Sequence, residues 1–335
     1  MSHEPQWCPV YRPTRADFQR PFVDYVQEIF RENPDLPMFK VVPPPNWRPR
    51  RTKFPDLKDV KIHTPIKQHA FGSRGSYRCV FMEQKEMTVA DFKRAAEDES
   101  HMPNEALRRK LKEAKDEAEA DALLERSFWG SVTLNPPLYG ADTPVSFFDS
   151  KLTYGWNMSD LGDLLKTADV PDVPGVTTPM TYFGMWRSFF GWHKEDKDLL
   201  SMNYLHFGAP KFWYCVSPKD SPKFDRMSQS LYPHHYKSCK QFIRHKDVMI
   251  SPALLRTHGI PFVQAKQEEN EFVVLNAAAY HSGFNMGFNC AEAINFATPD
   301  WIETGKVAEG CTCRKDTVHI SMRLFDPEWT GVSVD

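Results

Sequence analysis

The chain has almost no net charge: 42 lysines and arginines stand against 44 aspartates and glutamates, a formal balance of -2 over 335 residues. That excludes a strong general field for nucleic acid or for a membrane surface, so contact with either has to run through a local site. No apolar run approaches the ~18 residues that a membrane-spanning helix needs. Met1-Ser2-His3-Glu4-Pro5 carries no apolar signal-peptide core, which makes an intracellular protein the expectation. The seven cysteines are odd in number and irregular in spacing, unlike a secreted disulfide framework. Repeats at solenoid or propeller periods are also missing.

What is present is a foldable core: 41% hydrophobic and 13% aromatic residues leave no room for wholesale disorder. The 27 prolines favour short strands and loops over long helices. Phe18, Phe22, Val23, Val26 and Phe30 recur at spacings of three and four, predicting a helix within 15–31. Lys40 to Trp47 reads as a short strand with a proline-locked turn, and Thr88-Val89-Ala90-Asp91-Phe92 as a capped helix start. Residues 103–127, rich in both charge signs, read as a solvated helix. From 128 the texture turns to short aromatic and β-branched runs. Trp129–Leu134, Leu200–Phe207, Lys211–Val216 and Glu271–Leu275 read as strands, and 218–260 as helical turns. The fold class this predicts is mainly β with helical additions (α+β), a sandwich or jelly roll. Asp160, Asp163, Asp169 and Asp172 against Lys166 read as a solvated loop, or as an acidic rim for a basic peptide.

Trp192-His193-Lys194-Glu195 carries the chemistry. On an extended segment, side chains alternate, so His193 and Glu195 point to one face. His281, after the apolar run 271–275, supplies a second imidazole. Two histidines and one carboxylate leave adjacent positions open on Fe(II), where a bidentate 2-oxo acid and O2 can bind. Lys211 and Trp213 share one strand face. A lysine buried there needs an anion, and the distal carboxylate of 2-oxoglutarate would supply it. Ser201 and Asn203 share parity with His193 and Glu195 unless Asp196-Lys197-Asp198 turns the chain. A second cluster combines Cys311-Thr312-Cys313 with Cys239 and His245, a Cys3His set suited to structural Zn(II). His234 and His235 stand as lower-ranked alternatives to His245. Cys8, Cys79, Cys215 and Cys290 have no partners in the sequence pattern and read as packed or exposed thiols.

From about 7 to 320 the chain resembles the JmjC histone lysine demethylases in which a JmjN segment directly precedes JmjC. The motifs that carry the likeness are Lys40-Val41-Val42-Pro43-Pro44 with Trp47, Asn135 to Asp142, Tyr182 to Trp186, Trp192 to Tyr214, Cys239 to His245 and His281 to Ala297. The resemblance implies a double-stranded β-helix core (jelly-roll, cupin-like) with JmjN at 7–50. A mixed helix and strand region follows at 51–130, then the catalytic roll at 131–300 and a zinc-closing segment at 301–335. It implies His193, Glu195 and His281 as iron ligands, and Tyr139, Asn203 and Lys211 as contacts to 2-oxoglutarate. It further implies the same four zinc ligands. A methyl-lysine pocket is implied from Gly175, Tyr182, Glu195 and Asn295, with Lys246 beside it and Ala293 in its wall. The implied activity is demethylation of tri- or dimethyl-lysine at lysine 9 or lysine 36 of histone H3, by N-methyl hydroxylation and formaldehyde release with O2 as cosubstrate. Methylated H3 tails in chromatin would be the partners and the nucleus the location. Met180, Ala293 and Asn276-Ala277-Ala278-Ala279 depart from the family pattern. A protein hydroxylase using the same site, or a catalytically weak chromatin-binding protein, are the alternatives.

Overall fold

A computed structural model describes residues 6–152, 154–314 and 317–331. Met1 to Pro5, whose lack of an apolar core suggested an intracellular protein, lies outside them, as do 315–316 and 332–335 of the C-terminal segment. Among the described residues no helix is long and apolar enough to cross a membrane.

Eight strands between Met180 and Phe296 build the centre: β1 (Met180–Gly184), β2 (Phe189–His193), β3 (Leu200–Gly208), β4 (Lys211–Val216), β5 (Val263–Gln267), β6 (Phe272–Leu275), β7 (Tyr280–Asn285) and β8 (Asn289–Phe296). They fall into two sheets, ordered β6-β3-β8-β1 and β5-β4-β7-β2, with antiparallel pairing throughout. This is a jelly roll, as the fold-class expectation held. The first sheet is extended to ten strands. Met38–Val41 and Val10–Tyr11 join beside β6, and Leu138–Thr143, Ile66–Ser73, Ser76–Glu83 and Val248–Ile250 join beyond β1.

The strands are apolar on both faces because both are covered. All six residues of β4 are buried. Lys211 and Trp213 face the interior, whereas Phe212 and Tyr214 belong to the outer core, where Trp129 Nε1 donates to the Tyr214 hydroxyl at 2.9 Å. On the other sheet, helix Phe22–Glu32 buries Phe22, Tyr25, Val26, Ile29 and Phe30. Phe18 anchors this region between Trp47 and Trp156, with ring centroids 5.1 and 4.5 Å away. Fully burying one such side chain contributes roughly 1.5–3 kcal/mol.

Several local expectations need correction. Trp129–Leu134 is not a strand; helix Glu117–Ser131 runs through its first half. The helix starts at Asp116, whose side chain accepts from the Glu119 N–H, and Phe128 stacks on Phe284 at 4.1 Å. Capping and packing there override the β preference of the aromatic run. The charged stretch 103–127 makes two helices, Glu105–Glu113 and Glu117–Ser131, each with its own side-chain cap. The region 218–260 is largely helical, but Val248–Ile250 pairs with Ser76–Glu83. In the acidic loop, Asp160, Asp169 and Asp172 are exposed, while Asp163 is buried and accepts from the N–H groups of Leu165, Lys166 and Ala297. Asp163 therefore fixes the loop rather than forming part of a rim.

The Asn276–Ala279 departure also has a physical consequence. Ala278 sits at φ 57, and its N–H donates to Asp198 O at 3.2 Å. A left-handed alanine costs roughly 1–2 kcal/mol, which glycine avoids at the expense of a looser unfolded chain. Ala278→Gly is therefore expected to stabilise the protein by about 0.5–1 kcal/mol in denaturant unfolding. A lowered midpoint would mean that the alanine methyl contributes more than the backbone costs.

Candidate active site

Strands β2 and β7 are neighbours, and their register makes His193 and His281 direct cross-strand partners. Their ring centroids are 4.1 Å apart. Glu195 follows β2 in an extended conformation (φ -68, ψ 155), which returns its side chain to the His193 side. His281 Nε2 lies 3.3 Å from Glu195 Oε1, and ligand atoms of the three residues all lie within 4.8 Å of one another. His193 Nδ1 faces the Gly191 carbonyl at 2.7 Å and His281 Nδ1 faces the Ala279 carbonyl at 3.1 Å. Those bonds place the ring hydrogen on Nδ1 and leave each Nε2 lone pair for a metal. A Cβ at Gly191 would meet the Lys246 carbonyl at 2.2 Å, so only glycine admits this close approach.

Electrostatics favour a ligand set that is ready at neutral pH. Burial, with His281 and Lys246 nearby, holds His193 well below the usual histidine range and so neutral. Burial works to raise the Glu195 carboxyl, but the close approach of His281, together with His193 and the Lys246 ammonium, outweighs it and holds Glu195 below the usual carboxylate range.

The chain after Glu195 makes a tight turn. Lys197 and Asp198 both have positive φ (55 and 50), and Trp301 Nε1 donates to Lys197 O at 3.1 Å. The strand is thus interrupted, and simple parity does not connect Ser201 and Asn203 with the triad. They reach the same space from β3 in the facing sheet.

That space is a cavity of about 360 Å³. Its lining includes the triad, Tyr139, Asn203, Lys211, Gly175, Tyr182, Lys246, Ala293 and Asn295, so the sequence-derived candidates for iron, cosubstrate and methyl-lysine converge on one site. Met180 stands behind this wall, where a Cβ at Gly175 would meet its Cγ at 3.5 Å. Lys211 is 1% exposed. Its Nζ donates to Asn285 Oδ1 at 2.8 Å and lies 5.0 Å from the Phe190 ring centroid, with no carboxylate partner among the described residues. Burial pulls its pKa down to about 7.

Sequence reasoning assigned no role to Asn285, Asp142 or Arg244. Asn285 is the cross-strand partner of Lys211 and also binds Ser188 Oγ at 2.8 Å. Its parity with His281 along β7 was the available signal. Asp142, at φ 52 beside a bulge, accepts from the Tyr182 hydroxyl at 2.9 Å. Arg244 donates to the Glu195 carbonyl at 2.6 Å. Sequence offered no signal for either.

The second cluster lies beside the cavity. His245 Nε2 is 3.2 Å from both Cys311 Sγ and Cys313 Sγ, and Cys239 Sγ is 3.6 Å from Cys311 Sγ. Tetrahedral zinc with thiolate bonds of ~2.3 Å needs sulfur–sulfur edges of roughly 3.8 Å; Cys239–Cys311 at 3.6 Å is close to that, and Cys311–Cys313 at 3.2 Å is tighter. His234 and His235 lie outside the cluster, on helix Pro233–Ser238. Cys8, Cys79, Cys215 and Cys290 are buried, and burial raises all four thiols, Cys8 to about 12.

Residues 180–296 match the family described as "JmjC domain, hydroxylase". The chain contains a JmjC domain. It is 40% identical over 319 residues to lysine-specific demethylase 4B of Mus musculus, covering 94% of this chain and 28% of that protein. With lysine-specific demethylase 4D of Rattus norvegicus it shares 39% over 328 residues, covering 95% of this chain and 61% of the relative. With probable lysine-specific demethylase 4F of Homo sapiens it shares 42% over 296 residues, 86% and 44% of the two. The chain thus spans less than two thirds of each of these relatives.

A JmjC fold implies Fe(II) and 2-oxoglutarate, and the residues present fit both. Two imidazoles and a carboxylate are a donor set for a divalent first-row metal. Among the described residues the fully buried Lys211 ammonium has no counter-ion, which suits a small dicarboxylate, and the buried Asn203 Oδ1 has no hydrogen-bond partner. Burying the Lys211 ammonium has a cost in stability. Lys211→Met is expected to stabilise the ligand-free protein by about 1–4 kcal/mol below neutral pH, where wild type must bury the charge. The advantage should shrink as pH rises from about 7 toward 10.5, because there the folded lysine is neutral while the unfolded one stays charged. Urea unfolding of both proteins at each end of that window measures it; a pH-independent difference would contradict the assignment of the charge.

Proposed function

We propose that this chain demethylates tri- or dimethyl-lysine on histone H3, at lysine 9 or lysine 36, in the nucleus. The observation that carries the reading is one cavity with a His193–Glu195–His281 floor and a buried, carboxylate-free Lys211 in its wall. When bound, Fe(II) with 2-oxoglutarate and O2 supplies an oxidant able to hydroxylate an N-methyl group, after which formaldehyde leaves. His193, Glu195 and His281 hold the metal, and the Gly191 and Ala279 carbonyls fix both imidazoles in the ligating tautomer. Lys211 offers its charge to the distal carboxylate of 2-oxoglutarate, with Tyr139 and Asn203 completing the seat.

The substrate ammonium is large and weakly hydrated, so oxygen atoms making weak C–H contacts suit it. Gly175, Tyr182, Glu195 and Asn295 provide that wall, with Lys246 and Ala293 beside it. Asp142 fixes the Tyr182 hydroxyl and Leu200 O fixes the Asn295 amide at 3.1 Å. Because no nitrogen lone pair takes part, trimethyl-lysine is an allowed substrate. Cys239, His245, Cys311 and Cys313 would hold structural zinc. We assign 7–50 as the JmjN segment, 51–130 as a region packing on the core, 131–300 as the catalytic unit and 301–335 as its zinc-closing end.

Trimethylated H3 peptides incubated with the protein, Fe(II), 2-oxoglutarate and ascorbate, then weighed by mass spectrometry, test the reading. Loss of one methylene mass is expected. Gain of one oxygen mass would mean a hydroxylase with a stable product, and binding without mass change a chromatin-binding protein. His193→Ala should abolish turnover, and activity persisting in it would reject the metal assignment.

Affinity for 2-oxoglutarate carries its own pH signature. The dianion binds charged Lys211, whose neighbours Tyr139, Asn285, Phe190 and Trp213 bring no negative charge, while Cys290 is a buried thiol. Above about pH 7 binding must therefore take up a proton. Affinity is expected to fall by up to about tenfold per pH unit there, with proton uptake visible by calorimetry in buffers of different ionisation heat.

A further inference from the structure

The triad and the zinc cluster share one short stretch of chain. The turn Phe242–His245 follows Cys239, contains His245 and ends on Lys246 in the left-handed conformation (φ 60). Within it, Arg244 turns inward with a side chain only 7% exposed. Its Nη1 donates to Glu195 O at 2.6 Å and its Nη2 to Asp198 Oδ1, also at 2.6 Å. These acceptors lie at the two ends of the turn that leaves the triad strand. Lys197 and Asp198, both at positive φ, occupy its second half. Two consecutive non-glycine residues in that region persist only where their surroundings hold them.

The geometry is specific to a guanidinium. A planar fork can meet two acceptors at fixed separation, whereas an ammonium is a point charge on a flexible stem. Fixing the Glu195 carbonyl fixes the peptide plane after it, and with that the ψ that aims its carboxylate at His281. Asp198 is the hub on the side away from the cavity. Lys194 Nζ lies 3.9 Å from its Oδ2 and 4.8 Å from the Tyr280 ring centroid, next to His281.

We propose that Arg244 is a positioning residue for the metal site: it locks the backbone of Glu195 so that the carboxylate completes the His193–His281 pair, and it ties that lock to the zinc-bearing turn. The inference rests on the reading of the triad as a metal site. Loss of the lock lets the 195–198 turn relax, and the carboxylate then spends less time in ligating position. The zinc ligands keep all four side chains, so zinc binding survives the loss.

Cobalt(II) tests this without turnover. The zinc-loaded protein is titrated with Co(II) under visible absorption, His193→Ala identifies the signal of the triad, and zinc is counted by elemental analysis. Arg244→Met is expected to retain its zinc and to bind Co(II) about 10–100-fold more weakly, with an altered absorption band. Arg244→Lys should recover part of the affinity. Wild-type Co(II) affinity and spectrum in Arg244→Met would overturn the proposal. If Arg244→Met loses its zinc, Arg244→Lys decides. Retained zinc with weakened cobalt supports the lock, and unchanged cobalt overturns it. Loss of both metals from both variants assigns Arg244 to the fold and also overturns it. Wild-type protein that binds no Co(II) at the triad would reject the metal site itself, and the wild-type titration separates that failure from the others.

Discussion

The register of β2 against β7 is the constraint on which the rest of this structure depends. It makes His193 and His281 direct partners, so two imidazoles from distant parts of the chain meet on one face. A slip of one residue would send one of them to the outer core, where Phe284 and Trp192 now pack. The outer face resists such a slip: Phe284 is stacked between Phe128 and Phe212. The aromatic layer outside the roll thus secures the polar geometry inside it.

Tension between stability and chemistry runs through the cavity. A buried ammonium, an unsatisfied amide oxygen and left-handed backbone at Asp142, Lys197, Asp198 and Ala278 all oppose folding. Each is tolerated because a large core surrounds it, and each stands close to the triad or to the cavity that Lys211 lines. Local rules of foldability commonly break at functional sites.

The parts of the site that follow strand periodicity were legible from sequence. His193 and Glu195 are two apart on extended chain, and Lys211 and Trp213 alternate along β4, so the period of two alone says which side chains share a face. The parts that depend on tertiary packing were not legible. Tyr139 came only through family likeness, Asp142 sits beside a bulge in the same strand Leu138–Thr143, and Arg244 lies in the turn Phe242–His245. Trp129–Leu134 misled for the opposite reason: its composition suits a strand, yet a capped helix entering from Asp116 extends through Ser131. Among the candidate metal ligands the Cys-x-Cys pair was plain. His245 stood among three candidate histidines, and only the fold separates it from His234 and His235.

Because β2 and β7 come from opposite ends of the roll, an unfolded chain contains no preformed pocket for an ion. Any divalent cation that enters the triad therefore binds the native state alone and raises the free energy of unfolding in proportion to the logarithm of its concentration. The strand pairing that brings the triad together would also make any metal occupancy of it a source of thermal resistance, and a cell short of such a metal would hold a more easily unfolded protein.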